Sequence, residues 1–195
     1  MSRADRDKWN ARYADGAYRR RPHPSAFLRE RLTDLPRGRA LDVACGVGRN
    51  ALYLAEQGYR VDALDISAVA LQCGTETARE RDLSINWLET DLETDTLPPG
   101  PYDLILLVRY VNRPLIAKLA ARLANGGRLL CEQHLVTSRE VVGPTDAAFR
   151  MRPNELLASA AGLRILFYRE AIVEDPDGRL AALAQLMACR GEPGF

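Results

Sequence analysis

The sequence predicts an α/β fold of the doubly wound kind, with one domain built on a mostly parallel sheet. Three observations carry this. Between Arg39 and Asp65 a strand, a glycine turn, a helix and a second strand ending on an acid follow one another. Strand-like and helix-like stretches then alternate as far as Leu135, the order that parallel pairing through helical crossovers requires. Last, Arg164–Glu174 and Leu180–Arg190 read as two strands joined at Asp175-Pro-Asp-Gly178, a hairpin signal.

Residues 1–36 precede the core as an N-terminal arm, and 37–195 form the domain proper. Within the arm, Trp9 and Tyr13 stand four residues apart, on one face of a helix. Pro22 and Pro24 break the chain before Ser25, which can cap a short helix over Ala26–Leu32. Arg39–Ala44 is a buried strand, and Asn50–Gln57 carries a helical stripe at Ala51, Leu52, Leu54 and Ala55, closed by Gly58. Tyr59–Leu64 is the second strand. Ser67 caps a helix reaching about Arg81, and Ile85–Glu89 is the third strand. Tyr102–Val108, an unbroken apolar run, reads as a strand buried on both faces. Asn112 and Pro114 open a helix with apolar positions 115, 116, 119 and 123, ended by Asn125-Gly126-Gly127. Arg128–Leu135 is the fifth strand; a polar loop, 136–152, leads to a helix with Pro153 in its first turn and Gly162 at its close.

The chemistry concentrates at Asp42-Val43-Ala44-Cys45-Gly46-Val47-Gly48. Glycines at 46 and 48 let the backbone turn sharply and approach a ligand. Two ligands compete for such a unit. Gly46-x-Gly48-x-x-Ala51, with Asp65 near the distance expected for a ribose-binding acid, satisfies the dinucleotide pattern of NAD enzymes. S-adenosylmethionine is the other, with a cationic sulfonium and an ammonium at its working end. Asp42 favours the second: a carboxylate just before the turn suits an ammonium and repels a pyrophosphate.

Composition excludes several classes. The 195 residues, 47% of them hydrophobic, suffice for one full core. A net charge of +1 gives no global case for nucleic acid or membrane binding, although residues 1–24 carry +4 and Arg19-Arg20-Arg21 is dense in charge. Such a run is a solvated loop or a patch for an anionic substrate. Cys45, Cys73, Cys131 and Cys189 are widely spaced and form no C-x-x-C pair, and only two histidines are present. Reduced thiols and no metal site are the expectation. No apolar run approaches the ~18 residues of a spanning helix, and the charged N-terminus lacks a signal peptide's apolar region. The expected location is cytoplasmic.

The motif Asp42–Gly48 resembles the first motif of class I S-adenosylmethionine-dependent methyltransferases. It is similar to the small bacterial group that includes tellurite-resistance and thiopurine-type enzymes. The likeness extends through Val61–Ser67, Thr90-Asp91-Leu92, Tyr102–Leu106 and Ala124–Leu130, nearly the whole chain. It implies a Rossmann-like seven-stranded sheet whose last strand is antiparallel and inserted beside its predecessor. It also implies S-adenosyl-L-methionine as the methyl donor. Donor-site residues by this resemblance are Trp9, Tyr13, Asp42, Ala44, Cys45, Gly46, Gly48, Asp65, Ile66, Asp91, Leu92 and Val108. Asp65 would take the ribose hydroxyls, Asp91 the adenine amino group, and Ile66 and Leu92 the ring faces. Trp9 and Tyr13 would belong to a lid, or else merely staple the N-terminal helix to the domain.

Ligands of open parallel sheets lie beyond the carboxyl ends of the strands, which directs attention to 109–113 and 132–134. Arg109, Tyr110, Arg113, Glu132 and His134 are the candidates for holding an acceptor, with Arg109, Tyr110 and His134 as positioning groups and no general base assigned. Each has a plainer alternative: the arginines can pair with carboxylates, Glu132 with an arginine, and His134 can be structural. Among similar sequences 109–114 is often R-Y-L-H-R-P; here Asn112 replaces the histidine, and Asn112 can simply cap its helix. The expected partner is a small-molecule methyl acceptor, for instance a soft thiolate or chalcogen oxyanion, and the expected state is monomer or homodimer. Competing readings are an RNA or protein methyltransferase, an NAD-linked oxidoreductase, and a donor-binding protein without catalysis.

Overall fold

The structure, a computed structural model, describes residues 3–16 and 22–192. The Arg19–Arg21 run lies outside the described residues. Among the described residues seven strands occupy one sheet in the order β3-β2-β1-β4-β5-β7-β6, and the chain sorts into two compact units: 1–24 with 37–99, and 25–36 with 100–195. The first 36 residues therefore divide between the units.

The first unit holds α1 (Arg3–Ala14), β1 (Arg39–Val43), α3 (Arg49–Glu56), β2 (Arg60–Asp65), α4 (Ala68–Glu80) and β3 (Ile85–Glu89). β1 and β2 pair in parallel, Asp42 opposite Ala63, and β2 pairs in parallel with β3, Asp65 opposite Glu89. Ala40, Leu41, Val43, Ala63 and Leu64 are fully buried, the signature of strands covered on both faces. Ser67 caps α4 by accepting from the Ala70 N–H. Arg39, Asp62 and Asn86 tie the three strands together by side chain: Arg39 donates to Asp62 through Nε (3.1 Å) and Nη2 (2.7 Å), and Asn86 donates to Asp62 at 2.9 Å.

The second unit holds α2 (Ala26–Arg31), β4 (Tyr102–Val108), α5 (Arg113–Ala120), β5 (Leu123–His134), α6 (Glu155–Ser159), β6 (Arg164–Glu174) and β7 (Leu180–Cys189). β4 and β5 are parallel, while β7 runs antiparallel to both β5 and β6. The last strand in sequence thus lies between β5 and β6, as the resemblance implied. Ser25 and Asn112 cap α2 and α5.

The boundaries that differ most from the sequence reading are the end of α5, the start of β5 and the start of α6. α5 ends at Ala120, and Leu123, four residues beyond Leu119, belongs to β5 opposite Tyr102. Asn125-Gly126-Gly127 is therefore no helix cap; it is an irregularity inside β5, where the pairing shifts between Tyr102 and Leu104. Gly126 turns with φ +79°, and a Cβ at Gly127 would sit 2.8 Å from the Tyr102 carbonyl oxygen. A four-residue apolar step satisfies a helical stripe, but pairing with Tyr102 wins. Likewise α6 begins only at Glu155, after Asn154 in the left-handed region, which leaves Pro153 outside it.

All four cysteines are free, and no acid, cysteine or histidine cluster among the described residues could hold a metal. No helix among them is long and apolar enough to cross a membrane.

Candidate active site

In the first unit, β1 delivers the chain into a turn whose alternate residues, Ala44, Gly46 and Gly48, have φ of 55°, 58° and 77°. The Cys45 N–H donates to the Leu64 carbonyl (2.9 Å) and the Gly48 N–H to the Cys45 carbonyl (3.0 Å). The Gly46 N–H points at the Asp65 carboxylate, 2.8 Å from Oδ2, while Asp65 Oδ1 accepts from the Ser67 N–H at 2.9 Å. One buried carboxylate thus bridges the loops after β1 and β2. Burial raises the Asp65 pKa, and the Ser67 and Gly46 N–H groups oppose it.

Asp42 is more deeply placed, with 1% of its surface exposed. It accepts from the Ala51 backbone N–H at the start of α3, and its Oδ2 has no hydrogen-bond partner among the described residues. Burial pushes the carboxyl up to about 7, with Arg49 pulling it down and Asp65 adding to the rise. The same two acids act on the Cys45 thiol, whose pKa burial lifts further. A buried carboxyl oxygen without a donor is costly; a cation supplied by a ligand would satisfy it, and a phosphate would be repelled.

After β3, the Thr90 N–H donates to the Asp65 carbonyl (2.9 Å). Asp91 closes a tight turn, accepting from the Glu93 N–H (3.0 Å) and donating its own N–H to Asp95 Oδ2 (2.7 Å). Ile66 and Leu92 are 4% and 3% exposed. α1 lies against this same region. The Tyr13 hydroxyl stands where a Cβ at Gly46 would be only 2.6 Å away. Trp9 meets Tyr13 with ring centroids 5.9 Å apart, and the Arg12 guanidinium lies 5.0 Å from the Trp9 centroid. Asn10 Oδ1 accepts from Ser67 Oγ (2.7 Å) and the Val69 N–H (3.4 Å), which fixes α1 to the start of α4. Asn10 lies between the two aromatics singled out in sequence, yet nothing in its spacing marks it.

The second unit contains the acceptor candidates and Val108, the last residue of β4 and 9% exposed. Arg109 follows with φ +59°, its N–H on the Glu132 carbonyl (2.6 Å). Its guanidinium is committed within the chain: Nε donates to Glu132 Oε1 (3.2 Å), Nη1 to Asp175 Oδ2 (2.7 Å), and Nη2 to Asp175 Oδ1. Burial alone would ease the guanidinium's proton off, but the Asp175 and Glu132 carboxylates hold it firmly charged. Glu132 in turn accepts from Ser25 Oγ (3.1 Å) and Gln185 Nε2 (2.8 Å). Asp175, the first residue of the hairpin turn, was not a sequence candidate; turn chemistry explains its residue type and hides its partner.

Arg113 reaches Glu155 through Nε (2.6 Å) and Nη2 (3.0 Å) and the Arg150 carbonyl through Nη2 (3.0 Å). Arg150 braces its own loop by donating to the carbonyls of Pro144 (2.6 Å) and Leu135 (2.8 Å). Asn112 Oδ1 accepts from the Leu115 N–H (3.2 Å), the capping bond. Tyr110 is half-buried in the loop between. His134 is 7% exposed, and a Cβ at Gly143 would come within 2.6 Å of its Nδ1.

Residues 40–127 match the family described as "Methyltransferase domain". The chain is 36% identical over 82 residues to the ubiquinone biosynthesis O-methyltransferase of Rickettsia typhi, covering 40% of this chain and 32% of that protein. It is 30% identical over 148 residues to the protein of the same name from Coxiella burnetii (strain RSA 331 / Henzerling II), covering 65% of this chain and 63% of that one. The chain thus spans about a third of the Rickettsia protein and just under two thirds of the Coxiella protein. Among solved structures, TehB from Haemophilus influenzae superposes with a TM-score of 0.72 at 24% identity, over 84% of this chain and 61% of that one. The magnesium protoporphyrin IX methyltransferase (ChlM) of Synechocystis PCC 6803, solved with bound SAH, gives 0.72 at 18% identity over 96% and 99%. These likenesses establish the fold.

Proposed function

We propose that this chain is a class I S-adenosylmethionine-dependent methyltransferase that binds S-adenosyl-L-methionine and transfers the donor's methyl group to a small molecule, a reading supported by the match of residues 40–127 to the methyltransferase-domain family. The observation that carries the reading is Asp42 Oδ2, a buried carboxylate oxygen beside the glycine turn with no donor among the described residues. In this reading Asp42 receives the donor's ammonium, Asp65 its ribose hydroxyls and Asp91 its adenine amino group, with Ile66 and Leu92 against the ring. Tyr13 on α1 covers the turn, with the Trp9 ring against it. The donor supplies a methyl group already activated by a sulfonium, so the protein's task is to position the reactants and exclude water.

Asn112 is committed to capping α5, and Arg109 and Arg113 are paired internally. An acceptor that brings its own nucleophilic charge, such as a thiolate or a chalcogen oxyanion, needs no base from position 112. It would also have to be held by groups other than those two arginines. The O-methyltransferase names of the Rickettsia and Coxiella relatives favour a second acceptor class, a hydroxyl oxygen. A labelled-donor assay against thiols, selenite or tellurite, catechol-type hydroxyls and bulk RNA separates these classes.

Binding is tested by calorimetry with S-adenosylhomocysteine. The wild type is expected to bind it and not NADH. Asp65→Ala should weaken binding by at least about tenfold, or about 1.4 kcal/mol. An unchanged dissociation constant would remove Asp65 from the site, and tight binding of NADH would overturn the donor assignment.

A further inference from the structure

We propose that Trp87 positions the glycine turn for the donor, an inference that rests on the donor reading above. Trp87 is the central residue of β3, opposite Ala63 of β2, and none of the roles described so far involves it. Its indole edge lies where two glycines lack a side chain. A Cβ at Gly74, in α4, would meet Trp87 Cη2 at 2.6 Å and Cζ3 at 2.8 Å, and the Val47 carbonyl at 3.0 Å. A Cβ at Gly48 would meet the same two ring atoms, Cη2 more closely than real Cβ atoms approach anything.

Both glycines are therefore required by the indole, and the end of the turn is clamped between the ring and α4. Gly48 is also the N-cap of α3, with no side chain to hold it there. Its carbonyl accepts from the Leu52 N–H (2.8 Å), so its placement sets where the helix begins. The Ala51 N–H that holds Asp42 belongs to that first turn. At the other end, Gly46 is covered by the Tyr13 hydroxyl and bonded to Asp65. The groups assigned to the donor are thus spaced by a turn with an aromatic side chain against each glycine. Trp87 acts on the donor site through Gly48, against which its ring lies.

Truncating the indole removes the wall behind Gly48 and lets the turn shift away from the donor. Trp87→Leu is expected to raise the dissociation constant for S-adenosylhomocysteine, and the donor KM, at least about fivefold. The kcat at saturating donor should stay within about twofold, and Trp87→Phe should recover most of the affinity. Gly74→Ala, which keeps the indole but displaces it, should weaken binding as well. The Trp87→Leu, Gly74→Ala double variant should be no weaker than Trp87→Leu alone, the non-additivity expected of groups in contact. If Trp87→Leu does not fold, Gly74→Ala and Trp87→Phe carry the test. Folded variants that bind within twofold of wild type, whatever their melting temperatures, would reduce Trp87 to a core residue. A wild type that fails to bind S-adenosylhomocysteine overturns the donor reading itself, and this inference with it.

Discussion

Burial leaves the Asp42 carboxyl with the Ala51 N–H as a donor to one side and no partner at Oδ2 among the described residues, and it raises the group from an ordinary 3.8 to about 7. The folded chain then holds this proton more tightly than the unfolded one. Its contribution to stability is fully present below about pH 4 and is lost as pH rises through about 7. A neutral amide in place of this carboxyl would carry no such titration, so Asp42→Asn isolates the effect. Paired urea titrations should show the amide variant gaining on wild type between pH 4 and pH 8, by at most roughly 4 kcal/mol. A constant difference over that range would mean that the carboxyl has a partner in solution. Asp65 behaves otherwise, because its two oxygens are already bonded to the Gly46 and Ser67 N–H groups. Its removal strands two backbone donors, so Asp65→Ala must be read for stability as well as for binding.

At the scale of elements, the segments after β4 and β5 are held by side chains that sequence patterns offered as acceptor contacts. Arg109 joins β4 to β5 through Glu132 and to the β6–β7 turn through Asp175. Arg109→Ala would leave two buried carboxylates without their cation, a loss of about 3–5 kcal/mol. A fall in melting temperature should therefore accompany any loss of turnover. Full stability with abolished turnover would return Arg109 to the acceptor. Asn112 poses the complementary case. As the cap of α5, its replacement by Ala should cost about 1 kcal/mol and leave turnover per folded molecule unchanged. A large drop in kcat without a change in stability would instead make Asn112 a catalytic residue in the place of the histidine found in similar sequences.

For the whole molecule, the alternation of strand and helix, the glycine turn with its flanking acids, the caps at Ser25, Ser67 and Asn112 and the terminal hairpin are written locally. They depend on periodicity, on turn chemistry and on bonds between near neighbours in the chain, so the sequence by itself determines them, while the seven-stranded order was implied by the family resemblance. The remainder was decided only when distant residues met. Leu123 fits a helical stripe, yet it pairs with Tyr102, 21 positions before it, and so ends α5 early. Arg109 and Asp175 lie 66 positions apart, and no local pattern connects a strand end to a hairpin turn. Gly48 and Gly74 read as a ligand turn and an unremarkable helix position until the Trp87 ring is seen against both. Partnership between side chains is a property of where the backbone places them, and burial then fixes which charges can remain unpaired. Asp42 could be recognised from sequence as an acid before a glycine turn, but only the tertiary structure shows that its outer oxygen is buried with no donor among the described residues.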